Sequence, residues 1–151
     1  MPAIVIALII AAALGGGTAL LADHALPGDP LWGFKTDINE NVEGVLAQGG
    51  DAKANWDLSV VTVRLDEAQA LASHDKLDSA AQQNIMTSLR IHVQHISDRV
   101  TLLKAVGEDA RASDLASRFQ SVLVQHTTNL AQAPAAFTAY IHSLFDQASN
   151  Q

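Results

Sequence analysis

His92 and His95 stand three residues apart, and Asp98 follows three residues later. On a helix this spacing places both imidazoles on one face, a turn apart, where both can reach one metal ion. A metal centre needs three or four ligands. The others would have to come from His126, from His142 or from a carboxylate on a facing helix. Spacing along the chain supplies none of these, so no metal ligand is assigned and His92 and His95 stand as candidates only. The plainer expectation is that His92 borders an apolar seam while His95 and Asp98 face water. The chain has no His-Glu-x-x-His and no Glu-x-x-His pair of the di-iron bundles, and its four Glu are a poor supply for carboxylate-bridged metals.

Other chemistry is harder to find. There is no Cys, which excludes thiol catalysis, Cys-ligated zinc and disulfides. No Gly-x-Ser-x-Gly elbow and no Gly-rich phosphate loop is present, since Gly15-Gly16-Gly17 lies inside an apolar segment. Arg64 with Asp66 and Glu67 is a candidate recognition cluster, but the plainer expectation is that Arg64 pairs across the bundle or is solvated, and surface ion pairs contribute only ~0–1 kcal/mol. No catalytic residue and no cofactor is indicated, and the chain reads as a non-enzyme. A net charge of −7, with nine basic residues scattered and never in a run, argues against nucleic acid as a partner.

The elements that must carry these residues are helical. Ala, Leu, Val, Gln and Ser are plentiful and aromatic residues are 5% of the chain, a balance that suits helices better than strands. Asp29-Pro30 has the form of a helix start, an Asp N-cap followed by Pro at the first helical position. Leu31, Phe34, Ile38, Val42 and Val45 then make one apolar stripe. Gly49-Gly50 should end that helix and Asp51 cap the next. In the next, Ala54, Leu58, Val61, Leu65, Ala68 and Ala72 recur at heptad-like steps. Asp78 caps a third helix to about Val106, with Met86, Leu89, Val93, Ile96, Val100 and Leu103 as its seam. A fourth runs from about Asp109 to Ala131 with Leu115, Phe119, Val122, His126 and Leu130 on one face. After Pro134, a last helix from Ala135 to about Ala148 carries Phe137, Tyr140, Ile141, Leu144 and Phe145. Residues 149–151 are expected to be a disordered tail. Short loops between long helices predict an all-α, antiparallel bundle of four to five helices over residues 30–148.

Before the bundle lies a different kind of segment. Ala3–Ala22 has no charged residue and a single polar side chain, Thr18. About 20 apolar residues at ~1.5 Å each span a hydrocarbon core of ~30 Å. Residues 1–22 are therefore expected to be a transmembrane or signal-anchor helix. Gly15-Gly16-Gly17 and the small residues near Gly17, Ala19 and Ala22 also suit signal cleavage. No Lys or Arg precedes the segment, so the basic leader of a standard signal would require a start further upstream. Just after it, Asp23, Asp29, Asp37 and Glu40 stand against Lys35. Nothing in that flank holds the downstream side in the cytoplasm. The expected location is the cell membrane, single-pass, with the C-terminal domain outside the cytoplasm or released after cleavage.

Between the two lies Leu26-Pro27-Gly28-Asp29-Pro30-Leu31-Trp32-Gly33-Phe34-Lys35. This run resembles the opening of an uncharacterised bacterial family of membrane-anchored or extracytoplasmic helical domains, which begins with an LPGDPLYxxK-type motif just after a transmembrane segment. Ala54 and Arg64-Leu65-Asp66-Glu67-Ala68-Gln69-Ala70-Leu71 resemble its second element. Trp32 stands where the family usually has Tyr, and Gly33-Phe34 replaces a more common Pro-containing pair. The resemblance covers about Ala25 to Leu103 and implies location and fold, with no catalytic residues. The motif residues Pro27, Gly28, Asp29, Pro30, Trp32 and Lys35 have a physical reading of their own. Pro27 and Pro30 restrict the backbone, Gly28 allows a turn and Trp32 either anchors at the headgroups or packs into the bundle. Residues 23–29 are thus expected to form a rigid joint. Three function classes follow. The first is a tethered binding, sensory or scaffold domain with the membrane and an unidentified protein as partners. The others are a pilin-like filament subunit, for which an early Glu in the apolar helix is missing, and a metal- or ligand-binding bundle.

Overall fold

The structure, a computed structural model, describes residues 25–36, 49–130 and 132–149. They belong to two compact units, Met1–Leu46 and Ala47–Gln151. The Ala3–Ala22 segment, the stripe positions Ile38, Val42 and Val45, and residues 150–151 lie outside the described residues. No helix among the described residues is long and apolar enough to cross a membrane.

In the first unit the Leu26–Asp29 turn is closed twice. The Asp29 N–H donates to the Leu26 carbonyl at 2.9 Å, and the Leu26 N–H donates back to Asp29 Oδ2 at 2.9 Å. Pro27 holds the first central position, and Gly28, with φ of 101°, holds the second. This is the arrangement of a type II turn, whose second central residue must take a positive φ. Asp29 was expected to cap a helix beginning at Pro30, and it does not. Its carboxylate is turned back to Leu26, and the helical turn Trp32–Phe34 has Leu31 at its N-cap. The Trp32 N–H donates to the Asp29 carbonyl at 3.0 Å, so Asp29 serves both turns in succession. Pro30 is exposed, Trp32 is half-buried and Lys35 is buried.

The second unit is all-helical: α1 Gly50–Ser73, α2 Ser79–Ala105, α3 Asp109–Thr127 and α4 Ala135–Ser149. Each helix packs antiparallel on its successor. Asp51 at the start of α1 meets Arg99 near the end of α2 and Arg111 at the start of α3. Beyond these neighbours, α1 packs on α3 and α4 packs on α2, so two three-helix groups share the α2–α3 edge.

The two loops at α2 are built alike. At the end of α1, Asp75 takes the left-handed conformation (φ 54°). Its N–H donates to the Ala72 carbonyl at 3.2 Å, and that of Lys76 donates to Leu71 at 2.8 Å. At the end of α2, Gly107 (φ 79°) and Glu108 repeat this with Lys104 and Leu103. Both are Schellman closures, which satisfy the carbonyls left open by the last helical turn. Asp78 then caps α2 as expected, accepting from the Ala81 N–H at 2.8 Å. Asp51 does not cap α1, because Gly49 is the N-cap and Asp51 lies inside the first turn.

The core follows the expected seams with two shifts. On α2, Ile85 is fully buried where Met86 was expected, and Met86 is half-buried. On α3, Leu123 takes the place expected for Val122. A straight helix turns slightly past a strict heptad, so the buried stripe drifts by one position along a long helix. The third helix ends at Thr127 rather than near Ala131, although Leu130 is still buried beyond it. The last helix extends to Ser149, one residue into the expected tail. Burying one such Leu or Ile contributes ~1.5–3 kcal/mol.

α1 differs from the rest in burying two stripes. Ala54, Leu58, Val61, Leu65, Ala68 and Ala72 are buried as expected. So are Asp57, Val60, Arg64, Glu67 and Leu71. The second stripe, at steps of three and four, carries three charges into the bundle. A helix that packs on two partners has little solvent face left to hold them.

Candidate metal-ligating cluster

Asp57 lies where α1 faces α2, opposite His92 and His95. Its Oδ1 is 2.7 Å from His92 Nδ1, 3.1 Å from His95 Nδ1 and 3.0 Å from Lys53 Nζ. The carboxylate can only accept, so each Nδ1 that bonds to it carries its hydrogen. Three nitrogens therefore converge on one oxygen, and among the described residues none reaches Oδ2. Each donor is placed by helical spacing: Lys53 is one turn before Asp57 on α1, and His95 one turn after His92 on α2.

The cluster is closed on one side and open on the other. Asp57 is 1% exposed and His92 12%, whereas Lys53 is 39% and His95 46% exposed. Trp56 meets the His92 ring edge-on, with centroids 5.0 Å apart, and His92 meets His95 in the same manner at 5.9 Å. Lys53 Nζ sits 3.8 Å from the centroid of the Trp56 ring. On the open side a groove is lined by Gly50, Lys53, Asp57, His95 and Asp98. Burial pushes the Asp57 carboxyl up, but the hydrogen bonds from His92, His95 and Lys53 together outweigh it and hold the group below the usual aspartate value.

Beside the groove, Asp51 accepts from two arginines. Arg99 Nη2 of α2 donates to its Oδ1 at 2.8 Å, and Arg111 Nη2 of α3 donates to its Oδ2. The Arg99 guanidinium lies against the Gly50 backbone, where an added Cβ would come within 2.4 Å of Arg99 Cζ. A side chain at position 50 would therefore displace the Arg99 guanidinium from its present place. The hydrogen bond from Arg99, then that from Arg111, lowers the Asp51 pKa from its ordinary value.

The other residues singled out by chemistry have separate partners. Arg64 was expected to pair across the bundle or to be solvated, and it is buried with both a local and a crossing partner. Its Nη1 donates to Glu67 Oε2 at 2.8 Å on the same helix, and its Nε to Ser88 Oγ of α2 at 3.1 Å. His126 is buried between two acceptors, the Val122 carbonyl at 2.8 Å from Nδ1 and Asp66 Oδ1 at 2.9 Å from Nε2. Asp98 is held by Gln94 Nε2 at 2.8 Å, and His142 is exposed on α4.

The structure thus joins His92 and His95 as their spacing suggested, and leaves His126 and His142 elsewhere. The group that completes them, Asp57, was not singled out in the sequence. Its only signal was its place in the second stripe, Asp57-Val60-Arg64-Glu67-Leu71, which runs beside the apolar seam at the same steps. Asp57, His92 and His95 together present one ligand atom each, all within 4.8 Å of one another. Compared with protein-family models, with curated proteins and with solved structures, the chain matches none.

Proposed function

We propose that the protein is a membrane-tethered helical module of the LPGDPLYxxK-type family, with its bundle outside the cytoplasm in a binding, sensory or scaffold role. The observation that carries this reading is the charge-free run Ala3–Ala22 set directly before an acidic flank and a folded helical domain. The doubly closed turn at Leu26–Asp29 supports it, since it stiffens the chain just after the apolar run. The role is one of interaction rather than catalysis. Among the described residues the charged clusters pair with neighbours on the same bundle, and no nucleophile is hydrogen-bonded to a base. The partner is a protein or small ligand met at the bundle surface.

Topology is the direct test. A reporter active only outside the cytoplasm, fused after Gln151, is expected to give signal, and the protein is expected to sediment with membranes. Signal confined to a reporter active only in the cytoplasm would reverse the orientation. Recovery of the full chain in the soluble cytoplasmic fraction would remove the tether altogether.

A further inference from the structure

We propose that Asp57, His92 and His95 form a binding site for a single divalent transition-metal ion, of the zinc or cobalt class, at the open edge of the α1–α2 seam. The inference stands on geometry and is independent of the membrane reading.

Two ligand atoms that are each ~2.1 Å from an ion lie ~3.0 Å apart at a right angle and ~3.4 Å apart at a tetrahedral angle. Asp57 Oδ1 is 2.7 Å and 3.1 Å from the two Nδ1 atoms. The 3.1 Å separation lies between the two edges, and the 2.7 Å separation is about 0.3 Å short of the right-angle one. Two imidazoles and one carboxylate are the donor set of borderline ions such as zinc, cobalt and nickel, and not of calcium or magnesium, which take oxygen. The ligands come from two helices whose apolar seams already hold the backbones in place. Asp57 and His92 are nearly buried, so two of the three are pre-positioned. His95 borders the groove, which leaves the remaining coordination positions to water or to an incoming ligand.

Lys53 is the element that makes the proposal specific. Its ammonium holds the same oxygen that the ion would take, and a dication and an ammonium cannot share that position. Its side chain is 39% exposed and already lies against the face of Trp56, so it has a place to withdraw to. Binding then proceeds as an exchange. The ion takes Asp57 Oδ1 and the two Nδ1 atoms, Lys53 leaves, and each Nδ1 hydrogen moves to Nε2 or to solvent. Removing the lysine should therefore tighten binding, which a purely structural ion pair gives no reason to expect.

The full chain, purified in detergent without a histidine tag and stripped with chelator, is titrated with Co²⁺ and followed by its visible absorption. The expected result is one Co²⁺ per chain, displaced by Zn²⁺. His95→Ala should weaken binding by about 100-fold or more. Its exposure leaves the fold intact, as circular dichroism would show. Asp57→Asn should do the same, and if that variant loses helicity the His95 and Lys53 variants decide. Lys53→Met should tighten binding by about tenfold. His142→Ala on α4 should change affinity by no more than about twofold. Absence of stoichiometric Co²⁺ binding would overturn the site. So would equal affinity in His95→Ala, or a loss in His142→Ala as large as in His95→Ala. Weaker binding in Lys53→Met would overturn the exchange.

Discussion

Asp57 and Arg64 stand two turns apart on the same stripe of α1, each 1% exposed, yet they are answered in different ways. Arg64 is sealed. Glu67, one turn on and 3% exposed, lies at 2.8 Å, and Ser88 meets its Nε from the facing helix. Charge and countercharge are both in the interior. Asp57 is open. Its partners Lys53 and His95 are both more than a third exposed, and can turn to solvent or make way for something else. The difference is one of exchangeability. A buried ion pair whose partners are also buried contributes to the fold or to its uniqueness. A buried charge whose partners are exposed can change partners without the backbone moving.

The largest expected effect comes from breaking the sealed cluster. Glu67→Ala should destabilise the bundle by about 3–5 kcal/mol, read by urea or thermal unfolding, because it removes a buried carboxylate hydrogen-bonded to an interior guanidinium. The paired change Arg64→Met with Glu67→Leu should recover most of that loss. If Glu67→Ala costs less than about 1 kcal/mol, the cluster is wetter than its burial indicates.

Breaking the open cluster should cost less. Asp57→Ala is expected to destabilise by about 1–3 kcal/mol, since Lys53 and His95 regain water and the partly buried His92 is the main group left short of a partner. A loss as large as that of Glu67→Ala would erase the distinction between the two clusters.

The smallest effect belongs to Asp51, which lies 58% exposed between Arg99 and Arg111. Its pKa is lowered in the folded protein, first by Arg99 and then by Arg111. A lowered folded pKa means that this contribution is present above the ordinary value of 3.8 and is lost as pH falls through the folded value. The difference in melting temperature between the native chain and Asp51→Asn should therefore be full near neutral pH and fade below pH 3.8. It should also shrink with added salt, because exposed pairs are screened. A difference that is constant from neutral to strongly acid pH would show that Asp51 acts through packing, unlike a clamp.

Much of this architecture is written in the order of residues. The steps of three and four at Leu58, Val61, Leu65 and at Leu89, Val93, Ile96 determine helices with one apolar face, because burial is governed by local periodicity. The helix stop at Gly107 and the cap at Asp78 are equally local, each a matter of one residue's backbone or side-chain chemistry. The i, i+3 spacing of His92 and His95 likewise determines that they share a face. What tertiary structure alone decided is which charges are inside and what they meet. Asp57 and Asp51 look alike in the sequence, two acids near the start of one helix. One faces α2 and receives two imidazoles and a lysine, and the other remains at the surface between two arginines. Asp29 was drawn away from a helix start by a backbone N–H only three residues behind it. Ile85 displaced Met86 because the direction of a seam depends on the drift of a long helix against two neighbours. In each case the deciding energy lies between groups far apart in the chain or in competition at short range, and periodicity carries no record of either.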